Sequence, residues 1–134
     1  MPITFVPPPG TVLMCDYRTA FVPPEMVKRR PVVVLAPTWR RHRGPYVVVP
    51  LSTSAPRVPE LFDVHVPAER YSFFRSPLDV WAKCDMLAAV APVRLDRLRH
   101  DRRWRAPMIE GGDFRAIQRG VLHALGLSAL IAAL

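Results

Sequence analysis

The stretch Arg30-Pro31-Val32-Val33-Val34-Leu35-Ala36, followed by Tyr46-Val47-Val48-Val49-Pro50-Leu51, decides the fold. β-Branched side chains crowd a helix but pack well on a pleated surface, so these runs predict two central strands. Working outward, Thr11 to Tyr17 reads as an earlier strand. Leu61 to Val66 sets apolar residues in alternation with Asp63 and His65, the pattern of a half-exposed strand, and Asp79 to Met86 around Trp81 supplies another. Sixteen prolines and no asparagine leave the turns mainly to Pro, Gly, Asp and Ser and cut the chain into short extended pieces. Strands spaced so closely predict a small β-barrel.

One helix is expected near the end. Phe114, Ile117, Val121, Ala124 and Leu125 recur at helical spacing, while Arg115, Gln118, Arg119 and His123 fall elsewhere on the wheel. Asp113 suits the helix N-terminus and Gly126 its C-cap. Val93 to Arg99 is expected to form at most a shorter helical turn. With 134 residues, half of them hydrophobic, and no internal repeat, residues 1–134 are read as one domain with a single core.

The charge narrows the function classes. Lys and Arg number 19 against 11 Asp and Glu, a net +8 with a pI near 10.7, which suits an anionic partner such as nucleic acid or simply a basic, soluble surface. Cys15 and Cys84 each lie in an apolar run and read as buried free thiols, consistent with a reducing cytoplasm. The proline-broken N-terminus does not resemble a signal peptide, and Gly120 to Leu134 is too short to span a bilayer. No phosphate-binding glycine loop, paired CxxC or HExxH occurs, and His42, His65, His100 and His123 are scattered across different elements. The sequence calls for no metal and no cofactor.

An ordered constellation remains. Glu25-Met26-Val27-Lys28-Arg29-Arg30-Pro31 runs into the first valine strand, and the second ends in Pro50-Leu51-Ser52-Thr53. Upstream stands Gly10-Thr11-Val12-Leu13-Met14-Cys15-Asp16-Tyr17; downstream, Trp81-Ala82-Lys83-Cys84-Asp85-Met86 and then Val93-Arg94-Leu95. An acidic residue, Arg-Pro, a strand, and a second strand ending in a hydroxyl pair resembles the core of the MazF/PemK toxins, and the likeness extends from about Gly10 to Gly126. It implies a mainly β, SH3-like small barrel with a C-terminal helix, usually a homodimer. It also implies metal-independent cleavage of single-stranded RNA, and a cognate antitoxin that occupies the RNA groove. A non-catalytic barrel that binds nucleic acid or protein is the competing reading. A gyrase-directed toxin on a related barrel is disfavoured, because the aliphatic Ala129 to Leu134 lacks the tryptophan-bearing tail such an interaction would need.

Metal-free cleavage uses the ribose 2′-hydroxyl as nucleophile, so the protein must stabilise phosphoryl charge and manage two protons. Arg30 matches the family's arginine before proline, and its planar fork suits phosphate; the alternative is an arginine that pairs with Glu25. Ser52 stands where the family usually has threonine, with Thr53 as its substitute if the strand end shifts by one; a hydroxyl that merely closes a turn is the plain alternative. Glu25 would accept a proton or, preferably, orient the arginine. For RNA binding, Lys28 and Arg29 extend the positive edge of Trp39, Arg40, Arg41, His42 and Arg43, which combine cations with an aromatic face. The later run Arg97, Arg99, Arg102, Arg103 and Arg105 around Trp104 could serve RNA, the antitoxin or only solvation, and is read preferentially as a solvated face. Asp16 and Asp85 are assigned hydrogen bonding at strand ends.

Overall fold

The computed structural model describes residues 1–36, 44–74 and 79–133. Its strands are β1 Val12–Asp16, β2 Arg29–Ala36, β3 Tyr46–Ser52, β4 Asp63–Val66, β5 Val80–Lys83, β6 Ala88–Val90, β7 Leu95–Asp96, β8 Leu98–His100 and β9 Arg103–Arg105, followed by helix α1, Gly111–Ala124. The main sheet runs β4-β5-β3-β2-β1-β7, with β6 also on β3, while β8 and β9 form a separate hairpin. Every pairing is antiparallel. The protein is therefore mainly β, with its long helix at the C-terminal end.

The two valine runs are continuous because both faces of the sheet are covered. Val33, Val49 and Leu51 enter one buried cluster, which α1 joins through Ile117. Their neighbours Val32, Val34 and Val48 point the other way, into a cluster with Ile3, Tyr17, Tyr46 and Leu95. Side chains alternate across a strand, so a strand buried on both faces needs apolar residues at consecutive positions. The central valines of β2 and β3 are fully buried.

Two prolines shape the end of the central ladder. Val34, Val33 and Val32 face Val48, Val49 and Pro50, and the β2–β3 pairing stops there. Pro31 and Pro50 have no N–H to donate, so neither can extend a ladder. Beyond that point β2 stays paired with β1, Arg30 facing Cys15, while the last residues of β3 pair with β5, Ser52 facing Trp81. The start of β2 and the finish of β3 are thus held from their outer edges, with a gap between them.

Helix α1 rests on this sheet. Ile117 is fully buried, and Gly120 sits so close to Cys84 and Val64 that a β-carbon would lie 2.7 Å from each. Gly126, at φ +75, supplies the left-handed turn that ends the helix. Leu125 falls beyond the helix and is exposed, so the apolar stripe is one residue shorter than the spacing predicts. The expected turn over Val93 to Arg99 is confined to Pro92–Arg94. There the Arg94 guanidinium donates to the Asp16 carbonyl at 3.0 Å, and Leu95 pairs with Cys15 on β1; sheet pairing outcompetes local helix. Asp79 to Met86 likewise divides into β5 and a 3-10 turn, Cys84–Met86.

Candidate functional site

The gap between β2 and β3 opens into a groove of about 410 Å³. Arg29, Arg30 and Pro31 from β2 and Leu51, Ser52 and Thr53 from the end of β3 form its floor, with Met14 of β1. Arg30 and Ser52 stand where the two strands part, Arg30 held against Cys15 on β1 and Ser52 against Trp81 on β5, and both border the opening between them. The guanidinium and the hydroxyl therefore line one groove.

Arg30 is half-buried, and its Nε is enclosed without a hydrogen-bond acceptor. No ion pair involves it among the described residues. A buried donor left unsatisfied costs about 1–3 kcal/mol. Ser52 is 6% exposed, and its Oγ accepts the Ser54 N–H at 3.1 Å. That bond closes a turn with a lone pair and leaves the hydroxyl proton available to donate. The turn-closing and ligand-facing readings of Ser52 are therefore compatible.

The other sequence candidates separate. Thr53 and Arg29 line the groove. Lys28 is exposed and does not. Glu25 lies in a turn before β2, where its carboxylate accepts the Val22 N–H at 3.1 Å, and it makes no bond to Arg30. Trp39, Arg40, Arg41, His42 and Arg43 lie outside the described residues. Asp16 hydrogen-bonds Arg18 through both carboxylate oxygens. Those bonds, reinforced by the nearby Arg18 and Arg29 charges, hold its carboxyl well below the usual range. The Cys15 and Cys84 thiols are buried and free; burial pushes them up to about 11 and about 12, so both stay protonated and unreactive.

The opposite wall holds residues that the sequence reading did not assign to the site. Arg97 just before β8, Leu98 and Arg99 in β8 and Trp104 in β9 reach the groove, as do Phe73 and Phe74 from the connection between β4 and β5. The basic run taken for a solvated face thus contributes two guanidiniums and an indole to the floor's own cleft. The reason is Leu98, 5% exposed, which anchors the hairpin in the helix-side core and swings its neighbours toward β2. A tryptophan flanked by Arg103 and Arg105 was the available signal. Phe73-Phe74, in an otherwise turn-like segment, was another.

The phenylalanine wall is fixed from behind. Tyr71 packs against Phe73 and Phe74, with ring centroids 5.3 and 5.5 Å away. Its hydroxyl donates to Asp113 at 2.5 Å and accepts the Glu110 N–H at 3.0 Å. Asp113, predicted to serve only the helix N-terminus, also accepts from Arg70 at 3.0 Å. Burial and the Asp113 carboxylate raise the Tyr71 hydroxyl above its ordinary value, so it remains a donor.

The groove thus has four arginines, three aromatic rings and two hydroxyls, and among its described lining residues no carboxylate and no imidazole. Among the described residues no cluster of three His, Cys, Asp or Glu side chains is placed to hold a metal, and no helix is long and apolar enough to cross a membrane. Such a surface attracts a polyanion and offers planar faces to its bases.

Comparison with known proteins agrees with this geometry. Residues 9–124 match the family model of PemK-like, MazF-like toxins of type II toxin-antitoxin systems. The uncharacterised protein YifN of Escherichia coli strain K12 is 29% identical over 151 residues, which cover 98% of this chain and 99% of the relative. The structure of MazF from Deinococcus radiodurans is similar with a TM-score of 0.64 at 18% identity, covering 91% of this chain and 98% of that one. The Mycobacterium tuberculosis toxin MazF-mt6 gives 0.58 at 17% identity, covering 87% and 97%. At these identities the two structures establish a common fold.

Proposed function

The chain belongs to the PemK/MazF-like toxin family of type II toxin-antitoxin systems, and we propose that its groove is a metal-independent endoribonuclease site for single-stranded RNA. The observation that carries this reading is the convergence of Arg30 and Ser52 on one cleft whose described lining holds no carboxylate. A scissile phosphate lying between them meets the half-buried guanidinium of Arg30 and a hydroxyl with a proton to give. The 2′-oxygen attacks phosphorus and the P–O5′ bond breaks, leaving a 2′,3′-cyclic phosphate and a 5′-hydroxyl. Arg30 stabilises the charge that accumulates on the phosphoryl oxygens, in the manner of a preorganised donor. Protonation of the leaving oxygen is a lesser role for it, because its pKa is so high. Ser52 orients the 2′-hydroxyl or donates to a phosphoryl oxygen. With Glu25 away from the groove, the 2′-proton passes to solvent and the 5′-oxygen takes its proton from water.

Family membership implies a cognate antitoxin, and a basic groove suits an acidic segment of such a partner. Exposed Leu127 and Leu130 beside α1 offer apolar surface for the homodimer that the family leads one to expect. The absence of a carboxylate or imidazole from the described groove lining favours one competing reading, a barrel that binds RNA without cutting it. Incubation of the full chain with long mixed-sequence RNA in the presence of a chelator separates the two. The nuclease reading expects 2′,3′-cyclic phosphate ends, and Arg30→Ala reduces cutting on the order of 1,000-fold with the fold intact, since Arg30 has no ion-pair partner to strand among the described residues. A folded wild-type protein that binds the RNA and leaves it whole would establish the binding module instead.

A further inference from the structure

We propose that the wall facing Arg30 is a nucleobase clamp, in which Trp104 on one side and Phe73 and Phe74 on the other hold an unpaired base of the RNA by stacking. The inference rests on the RNA reading above and adds the part of the ligand that the wall recognises.

Trp104 is 53% exposed and lies on β9, a strand whose three residues are all exposed. It gives little to the core. Arg99 supports the ring from one side, its guanidinium 5.1 Å from the ring centroid, which leaves the other face of the indole for a second planar group. The hairpin that presents the ring turns through Asp101 and Arg102, both at positive φ (49 and 62). A two-residue hairpin turn needs that geometry, yet arginine adopts it at a cost that glycine or asparagine would avoid. The turn thus carries an exposed indole into the cleft.

Phe73 and Phe74 form the complementary side. They contact each other with centroids 4.8 Å apart, and Tyr71, bonded to Asp113, backs both. A wall held by a buried carboxylate loses little freedom when a base docks against it. The cleft, at about 410 Å³, lies within the roughly 300–1,000 Å³ range of pockets that enclose small organic ligands. Its guanidiniums match the phosphates of an oligonucleotide, and its rings match a base; a purely anionic ligand would have no use for the rings.

The test uses the full chain and two probes that no 2′-hydroxyl mechanism can cut: a 2′-O-methyl oligoribonucleotide, with an abasic site placed at each position in turn, and inorganic polyphosphate of similar charge. Trp104→Ala is expected to weaken oligonucleotide binding about 5- to 100-fold, the range for loss of one base–aromatic stack, and to leave polyphosphate binding within about twofold. Trp104→Phe should restore most of the loss. One abasic position should weaken the wild type by a similar factor and add little to Trp104→Ala. Equal weakening of both probes, or an oligonucleotide affinity unchanged by Trp104→Ala in a protein with wild-type circular dichroism, overturns the clamp. Because neither probe is cleaved, the result is independent of the nuclease reading: RNA cut normally by Trp104→Ala would remove the clamp alone, and Trp104-dependent binding without any cleavage of ordinary RNA would remove the nuclease alone.

Discussion

Replacing Gly120 by alanine sets helix propensity against packing at a single atom. In the middle of an exposed helix the change stabilises by about 1 kcal/mol. Here the added β-carbon would stand 2.7 Å from Cys84 Sγ and 2.7 Å from Val64 Cγ2, with Cys84 Cβ at 3.4 Å. Non-bonded heavy atoms prefer about 3.5–4.0 Å, so two contacts are short by about 1 Å. Cys84 has no room to yield: it is fully buried, and its sulfur lies 3.6 Å from the Ile117 carbonyl oxygen on the same helix. Overpacking of this kind costs about 1–3 kcal/mol, and two simultaneous overlaps place it near the upper end. Subtracting the propensity gain leaves a net loss of about 2 kcal/mol. Equilibrium urea unfolding of Gly120→Ala should show a lower midpoint with an unchanged slope, and the melting temperature should fall by about 8 °C for a domain of this size. Gly112→Ala is the matched control, because nothing lies within 4 Å of a β-carbon there; it should be neutral or stabilising by up to about 1 kcal/mol. A Gly120→Ala protein as stable as the wild type would show that α1 does not bear on β4 and the Cys84 turn as closely as described. The consequence reaches the groove, because the same helix carries Asp113, which fixes Tyr71 and the phenylalanine wall.

Two further outcomes follow from the site and the core. Ser52→Ala should slow RNA cleavage on the order of 100-fold, as expected for loss of one transition-state donor, whereas Thr53→Ala should stay within a few-fold, since Ser52 is the buried hydroxyl of the groove and Thr53 is exposed; the reverse ranking in single-turnover assays would assign the role to Thr53. Alkaline pH should destabilise the fold through the buried thiols. Unfolded cysteine ionises near 9.0, while the folded Cys15 and Cys84 are pushed up to about 11 and about 12 by burial. The stability held in their neutral forms is therefore complete below about pH 9 and lost as pH rises toward the folded values, by at most about 1.4 kcal/mol per pH unit for each group. Urea midpoints that do not move between about pH 8 and about pH 11 would contradict the burial of these thiols.

The first five strands, the position of the long helix and the apolar character of both central strands follow from the sequence by itself, because they are local: β-branched runs, proline punctuation and helical periodicity act over a few residues; the short strands β6 to β9 carry no such signal and form through their sheet partners. Arg30 and Ser52 were singled out through the resemblance to MazF/PemK toxins, as the arginine before proline and the hydroxyl that ends the next strand. The resemblance to MazF/PemK toxins rests on the same ordered signals. What the tertiary structure decided is which segments, distant along the chain, share a cleft. Glu25 precedes Arg30 by five residues, yet its carboxylate turns back to the Val22 N–H, since a near backbone donor in a tight turn wins over a farther guanidinium. Arg97, Arg99 and Trp104 read as a solvated face because their own segment gives them no partner; one buried leucine, Leu98, and the hairpin turn at Asp101-Arg102 bring them over the groove. Asp113 likewise looked like a helix-terminal charge until Arg70 and Tyr71 met it from more than forty residues away. Long-range register is set by core packing summed over the whole sheet, and no window of sequence contains that sum.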